Sequence, residues 1–315
     1  MNRIRRGALV ALMAATALLI AAPLAAAHPG HDHDAATQKV AINFAALNGS
    51  KPVTCTKPIT GLGTTSRTAR LTDLRFYVSG VQLLRKGGGA ATVELASGSK
   101  WSYAKGNEAV TLIDLENGKG SCAAEGTKGM NAYVRGTVPK GTYTGVRYSV
   151  SVPGSLNHTD ITSTPSPLNL AAMAWSWQFG RKFMKIEVSE DGGAAWASKI
   201  FYVHLGSTGC KGDPAAGEKA KCSLPNQDKV TLKKFNPAKQ RIAIDFKTLF
   251  GGVDVASNGG MGAMGSMEGM EGMGGTPGCM SETTDPDCGP IFKALGLKLG
   301  TTKKTTQTAF RVVGR

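Results

Sequence analysis

The sequence predicts an all-β fold, an antiparallel β-sandwich or barrel with one or two short helices and long loops stapled by disulfides. Apolar and polar residues alternate in short segments, and Gly, Pro, Asn and Ser separate these segments, as is typical of strands joined by turns. The second observation is the use of six cysteines in a chain that begins with an export signal, where disulfides are favoured over free thiols. No internal repeat and no domain boundary interrupts the pattern.

The alternation predicts strands in ten places, and helix signals occur in two. Ser166 and Pro167 are suited to the N-cap and first position of a short helix over residues 166–173, and residues 290–297 are a second candidate. The predicted strands lie at 40–44, 74–78 with 81–84, 92–95, 110–115, 143–152, 183–188, 200–205, 230–235 and 242–246.

The first 27 residues have the features of a secretory signal peptide. Three arginines precede an apolar stretch at 8–22, and alanines at 25–27 offer a cleavage site. The first cysteine is Cys55, so a lipid anchor at that site is not expected. No later segment approaches the roughly 20 apolar residues of a membrane span. We therefore expect an exported, periplasmic protein with no transmembrane segment in its mature form.

Behind the signal we expect a flexible His-rich N-terminus at 28–38 and a single β-rich domain at 39–315, with a Met/Gly-rich loop at 257–278. Removing the signal and its three arginines lowers the formal net charge from +15 to +12. The basic residues are dispersed, no aromatic-plus-basic motif accompanies them, and the compartment is exported. These observations argue against nucleic acid and favour an acidic surface or partner.

The cysteines allow many pairings, among which a sequence does not choose. Short loops favour Cys210 with Cys222 and Cys279 with Cys288, which leaves Cys55 with Cys122. A cysteine zinc site is the weaker alternative, because no C-x-x-C spacing occurs.

Two tryptophans and two histidines stand out as candidates for chemistry. Trp175 and Trp177 are one residue apart, so on an extended strand they would share a face. His158, in a turn-rich loop, and His204, in a strand, bracket them, and imidazole is the commonest metal ligand. The plain alternatives are core packing for the indoles and ordinary hydrogen-bonded histidines. An intact indole is a poor metal ligand, because its nitrogen only donates.

Several distinctive motifs occur over roughly residues 39–298, namely WSWQ at 175–178 with Phe183 downstream, HLGSTGC at 204–210, LRFYVS at 74–79, VP to NH at 152–158, SPLNL at 166–170, and GCM to CGPIF at 278–292. Together they resemble the MbnP family of exported copper proteins, which are paired with a MauG-like dihaem protein, MbnH. Their agreement is more specific than a W-x-W motif alone.

The resemblance implies that Trp175 is oxidised to kynurenine through a dihaem partner of the cytochrome c peroxidase family, and that copper is then bound. Ring opening would give Trp175 an amine and a ketone. We expect a Cu(I) site made by His158, His204 and modified Trp175, because imidazoles in a low-coordinate site suit Cu(I). Trp177 would lie beside the site or relay electrons. The protein would receive or store copper without turnover, and so would not be an enzyme.

Two auxiliary copper sites are conceivable. The N-terminus carries three histidines, and the methionine loop offers soft thioethers that favour Cu(I). A polar tail and a low-complexity linker are the plain alternatives. The residues concerned are His28, His31 and His33, and Met261, Met264, Met267, Met270 and Met273.

Two other functions compete with copper binding. A metal-dependent hydrolase or oxidase could use His158 and His204, but no G-x-S-x-G or H-E-x-x-H motif occurs. Its candidate acids, Asp160 and Glu187, have no recognised arrangement. A β-sandwich module for carbohydrate or cell-surface contact could use the tryptophans as a stacking platform.

Overall fold

The computed structural model describes residues 36–176, 179–192, 196, 199–257 and 277–315. In chain order its strands are β1 (Thr37–Asn48), β2 (Lys51–Pro52), β3 (Ile59–Leu62), β4 (Arg67–Arg85), β5 (Ala90–Thr92), β6 (Glu94–Leu95), β7 (Ser102–Lys105), β8 (Glu108–Asp114), β9 (Tyr133–Pro139), β10 (Tyr143–Val150), β11 (Met184–Glu190), β12 (Ile200–Leu205), β13 (Thr208–Lys211), β14 (Lys221–Leu224), β15 (Asp228–Lys233), β16 (Gln240–Asp245), β17 (Gly278–Cys279) and β18 (Phe310–Gly314).

The strands form two large sheets and one small hairpin. The first sheet has the order β18-β16-β1-β9-β6 with β2 beside β1, and the second has the order β15-β10-β4-β11-β12-β17 with four further strands along β4 and β8. Strands β13 and β14 pair only with each other. Neither large sheet closes on itself within the described residues, so the sandwich is the correct alternative. Pairing is antiparallel except for β1 with β16 and β12 with β17, which are parallel.

Four aromatic rings join the two sheets. Phe44 on β1 meets Phe76 on β4 edge to face, with ring centroids 5.7 Å apart, and meets Tyr148 on β10 at 5.6 Å. Phe310 on β18 completes the cluster against Phe76 and Tyr148. Such pairs add to the stabilisation that burial of large rings gives. The inner faces of the sheets therefore hold the hydrophobic core, and the outer faces are free to carry a site.

Strand β4 belongs to the larger sheet and runs for 19 residues, where the sequence predicted a strand at 74–78 that continues into 81–84. Gly80 lies between them with φ of +58°, a conformation that glycine adopts without steric cost. The pairing of β4 with β10 shifts register next to it, between Ser79 and Gln82. One irregular position therefore bends the strand without ending it.

The described part of the chain contains three short α-helices, α1 (Gly154–Asn157), α2 (Phe246–Leu249) and α3 (Cys288–Ala294), one more than the upper number predicted. Helix α3 confirms the candidate at 290–297, although it begins and ends earlier. The helix predicted at 166–173 is wrong. This segment forms turns, and only Ala171–Met173 makes a 3-10 turn.

The carbonyl groups of this segment explain the difference. Pro167 O accepts a hydrogen bond from the hydroxyl of Tyr77 at 2.8 Å, and Leu168 O accepts from the guanidinium of Arg181 at 2.9 Å. These side chains are buried in the sandwich and take the carbonyl groups that helical N–H groups would otherwise use. Tertiary contacts therefore override the local helix signal.

The three disulfides are Cys55–Cys122, Cys210–Cys222 and Cys279–Cys288, as the short-loop argument predicted. Among the described residues no helix is long and apolar enough to cross a membrane.

Candidate metal site

A row of charged side chains crosses the outer face of the larger sheet. Residue pairing aligns Arg75 on β4, Lys185 on β11 and His204 on β12, and the neighbouring row aligns Asp73 with Glu187. In each strand these residues alternate with apolar residues that face the core, so they share the opposite face. All five side chains are nevertheless buried.

Loops cover this face and satisfy part of its charge. Arg75 donates to the backbone carbonyl of Glu125 at 2.9 Å, and Lys182 donates to Ala172 O at 3.3 Å. Buried charges need partners, because an unpaired one is costly in a low-dielectric interior. Within the row, Arg75 pairs with Asp73, while Lys185 bridges Asp73 at 2.5 Å and Glu187 at 2.8 Å. The positive charges of Arg75 and Lys185 therefore offset the negative charges of Asp73 and Glu187.

His204 lies at the end of this network. Its Nε2 is 2.7 Å from Glu187 Oε1, and its Nδ1 is buried with no hydrogen-bond partner among the described residues. Burial lowers the pKa of His204 to about 4 although the hydrogen bond to Glu187 opposes the shift. Burial alone would raise the pKa of Glu187, but its hydrogen bond to His204 and the charge of Lys185 lower it to about 2.

At neutral pH the imidazole is therefore uncharged and Glu187 is ionised. An ionised carboxylate only accepts hydrogen bonds, so the proton of His204 is on Nε2 and the lone pair is on Nδ1. This is the arrangement found in carboxylate–histidine–metal sites, where the acid fixes the tautomer and raises the basicity of the ligand.

Trp175 packs against Gly206, which lies just after the end of β12 and two residues after His204. A Cβ atom at Gly206 would collide with the benzene edge of the Trp175 ring, so the two are in direct contact. The backbone of Gly206 is fixed by Ser281 Oγ at 3.1 Å and Asn226 Nδ2 at 2.9 Å. The indole Nε1 of Trp175 is buried and has no partner within the described part of the chain.

Trp175 lies in none of the described strands, and hydrogen bonds tie its segment to Gly180. Trp175 N donates to Gly180 O at 3.0 Å, and Gly180 N donates to Ser176 O at 2.6 Å. These bonds join Trp175 and Ser176 to Gly180. Residue 177 lies outside the described residues, so its predicted place beside Trp175 is not addressed.

His158 caps the C-terminal end of α1 and is half-buried. Its Nε2 lies 3.1 Å from Asn157 Nδ2 and 3.4 Å from Cys222 Sγ. Asn157 Oδ1 accepts a hydrogen bond from the backbone N–H of Arg181 at 2.9 Å, which leaves Nδ2 as the donor toward His158. The lone pair of His158 is therefore on Nε2.

The segments that carry the three predicted ligands are neighbours, although these contacts join flanking residues and not the donor atoms of His158, His204 and Trp175. Trp175 touches Gly206, which follows His204, and the segment of Trp175 is joined through Gly180 and Arg181 to Asn157 beside His158. Asp160, one of the two acids weighed for an enzyme, accepts hydrogen bonds from its neighbour Thr162. The auxiliary candidates lie outside the described residues, namely His28, His31, His33, Met261, Met264, Met267, Met270 and Met273.

The sequence missed the charged row. Asp73 and Arg75, like Lys185 and Glu187, alternate with apolar residues, which by itself indicates a solvent-facing strand surface. Their burial depends on distant loops. A signal was present in the two runs of opposite charges at the same spacing.

These features define a class of protein: a disulfide-stapled β-sandwich that holds an oriented, uncharged histidine under loops on one sheet. A family model described as MbnP matches residues 37–273. The chain belongs to the MbnP family. It is also similar to the solved structure of MbnP from Methylosinus trichosporium, with 32% sequence identity, a TM-score of 0.73, and coverage of 89% of this chain and 99% of that one. Among curated proteins, none matches the chain significantly.

Proposed function

We propose that this protein binds Cu(I) in the periplasm, for copper acquisition or homeostasis, at a site completed when a dihaem partner oxidises Trp175 to kynurenine. The protein would hold copper and catalyse no reaction itself. His204, His158 and modified Trp175 are the proposed ligands. Membership of the MbnP family supports the proposal, as do the three disulfides, which are typical of exported chains.

The observation that carries the proposal is the state of His204. Its Nδ1 is buried without a partner in the described structure, while Glu187 occupies Nε2. A buried polar atom without a hydrogen bond is energetically costly, and a bound metal ion would supply the missing partner. The pKa of about 4 keeps the ring uncharged, so a metal ion would not have to displace a proton from it at neutral pH. Neutral imidazole suits copper.

Trp175 supplies the second part of the argument. Its Nε1 is also buried without a partner among the described residues, and Gly206 holds its ring next to the segment that follows His204. Opening the five-membered ring of the indole converts Nε1 into an aromatic amine and creates a ketone. The residue thereby gains donor atoms that the encoded side chain lacks.

The test is to produce the protein with and without a dihaem partner and to measure both copper and the mass of the peptide that contains Trp175. We expect that peptide to gain one oxygen and lose one carbon only with the partner, and tight Cu(I) binding to appear with the change. Trp175→Phe should abolish tight binding, whereas Trp101→Phe, in a ring away from these contacts, should not. Full binding by protein with an unmodified Trp175 would contradict the proposal.

A further inference from the structure

The three disulfides differ in their surroundings. Cys55–Cys122 and Cys279–Cys288 are buried in the hydrophobic core. Both cysteines of Cys210–Cys222 are only half-buried, and they face each other across the β13–β14 hairpin, which pairs with neither large sheet. A thiol in solution has to reach a sulfur atom before exchange takes place. Within the described chain, this disulfide is therefore the accessible one.

His158 stands directly beside this disulfide. One ring nitrogen of His158 and the two sulfur atoms of Cys210 and Cys222 lie within 4.8 Å of one another. Asn157 Nδ2 donates to Nε2 and so keeps this nitrogen unprotonated, and Cys222 Sγ is 3.4 Å from the same nitrogen, so a metal ion here would replace the hydrogen bond from Asn157. The donors come from two separate parts of the chain, the end of α1 and the hairpin, so their proximity is a product of the fold.

We propose that the Cys210–Cys222 disulfide can be reduced in the folded protein, and that the two cysteines then form, with His158, a second site for a soft metal ion such as Cu(I). The reductant is a dithiol, such as an exported thioredoxin-like dithiol protein. One of its thiolates attacks Cys210, a mixed disulfide forms, and Cys222 leaves as a thiolate beside His158. The second thiol resolves the mixed disulfide. Two electrons and two protons pass from the dithiol to the two cysteines, and the dithiol becomes a disulfide.

The chemistry of the donor set determines the ligand. Two thiolates and one imidazole are soft-to-intermediate donors, which select Cu(I) or Zn over hard cations. Bonds of about 2.0–2.3 Å to nitrogen and sulfur need donors that are nearly as close together as these are. Binding Cu(I) releases the two thiol protons to solvent. The intact disulfide lacks thiolates, so the oxidised protein does not offer this site.

The charges around the hairpin favour this exchange. Lys211 follows Cys210, Lys221 precedes Cys222, and these two exposed lysines pair across the hairpin. Nearby positive charge stabilises a thiolate and so makes a cysteine more reactive. The two buried disulfides have no such access. The site is independent of kynurenine formation, although it shares His158 with the proposed function.

The test uses the full chain carrying Trp175→Phe, so that the kynurenine site is absent. Mild treatment with dithiothreitol, without denaturant, should expose two thiols per chain, and mass spectrometry should locate the alkylated residues at Cys210 and Cys222. After anaerobic removal of the reductant, Cu(I) delivered from a chromogenic chelator should bind to the reduced protein with one ion more than to the oxidised protein. His158→Gln should weaken this binding about tenfold or more.

A double variant, Cys210→Ser with Cys222→Ser, is the matched control and should lose the extra ion. The inference is overturned if the thiols appear only after unfolding, or if the double variant binds the extra ion as well as the reduced parent does. The same double substitution in protein with modified Trp175 distinguishes the two proposals. Copper that depends on kynurenine should still bind to this double variant, and its loss would count against two separate sites. If the parent protein with modified Trp175 binds no such copper, the proposed function alone is contradicted.

Discussion

His204 and His158 are the same residue type in opposite settings. His204 lies on a central strand, is buried, and is held by a network of charges that spans β4, β11 and β12. His158 ends a four-residue helix, is half-buried, and is oriented by the amide of its neighbour Asn157. The first imidazole depends on buried electrostatics, and the second depends on one hydrogen-bond relay.

This difference indicates how each could serve a metal. Glu187 fixes the tautomer of His204, and Lys185 fixes Glu187, so the proposed ligand is oriented without an ion. His158 has a weaker support and a disulfide for a neighbour, so its surroundings can change with redox state. The surroundings of His204 are therefore constant, whereas those of His158 depend on the redox state of the neighbouring disulfide. The predictions below test the two halves of this comparison.

The largest effect is expected from Lys185→Met. Lys185 contacts the buried carboxylates of Asp73 and Glu187, and its removal leaves them with too little positive charge. Breaking a buried ion pair by removing one partner costs about 3–5 kcal/mol. Urea denaturation at pH 7 should show a loss of this size in the free energy of unfolding. Lys229→Met, on an exposed strand position, is the control, and an equal loss in both variants would show that the buried ion pairs of Lys185 do not stabilise the fold.

A smaller effect concerns pH. The pKa of His204 is about 4 in the folded protein and 6.5 ordinarily, as in an unfolded chain. Between these values the unfolded chain binds a proton that the folded protein does not, so stability is lost as the pH falls through this window. The contribution of His204 should drop by about 2 kcal/mol between pH 7 and pH 5.

Denaturation curves at the two pH values measure this drop. His204→Gln cannot titrate, so it should lose less stability than the parent on acidification, by that amount. Tyr202→Phe, two residues away on the same face, should behave as the parent does. If His204→Gln and the parent lose the same stability, the ring of His204 is not held uncharged by burial.

The fold was largely predictable and the site only partly so. Ile200–Leu205 was predicted with its correct bounds, and Phe201 and Val203 face the core while His204 lies on the other face, because a period of two is a local property. The C-terminal strand Phe310–Gly314 was not predicted. The ring of Phe310 packs against Phe76 between the two sheets, and this contact depends on the tertiary structure.

The candidate ligands were predicted from residue type and from the resemblance, whereas their supports were not. Glu187 was considered as an acid but not as the partner of His204, because the register of β11 and β12 is a long-range property. Asn157 gave no signal, since its role depends on the backbone N–H of Arg181, 24 positions away. Contacts that cross the fold therefore mark the limit of what a sequence pattern predicts.

The smallest effect is expected from Asn157→Asp, which tests the hydrogen-bond relay of His158 with little change in shape. The carboxylate still accepts from the N–H of Arg181, but it cannot donate to His158. His158 would then place its proton on Nε2 to pair with the new charge, and Nε2 would have no lone pair for a metal ion. We expect Cu(I) affinity at the kynurenine site to fall about tenfold, or about 1.4 kcal/mol. Competition with a chromogenic Cu(I) chelator measures this change.

The exposed Asn236→Asp substitution makes the same chemical change away from both histidines and should leave the affinity unaltered. A parallel fall in both variants would point to the added negative charge and not to the tautomer of His158. An unchanged affinity in Asn157→Asp would show that His158 does not bind through Nε2. In that case the constant half of the comparison, His204 with Glu187, would have to account for the imidazole contribution to the site by itself.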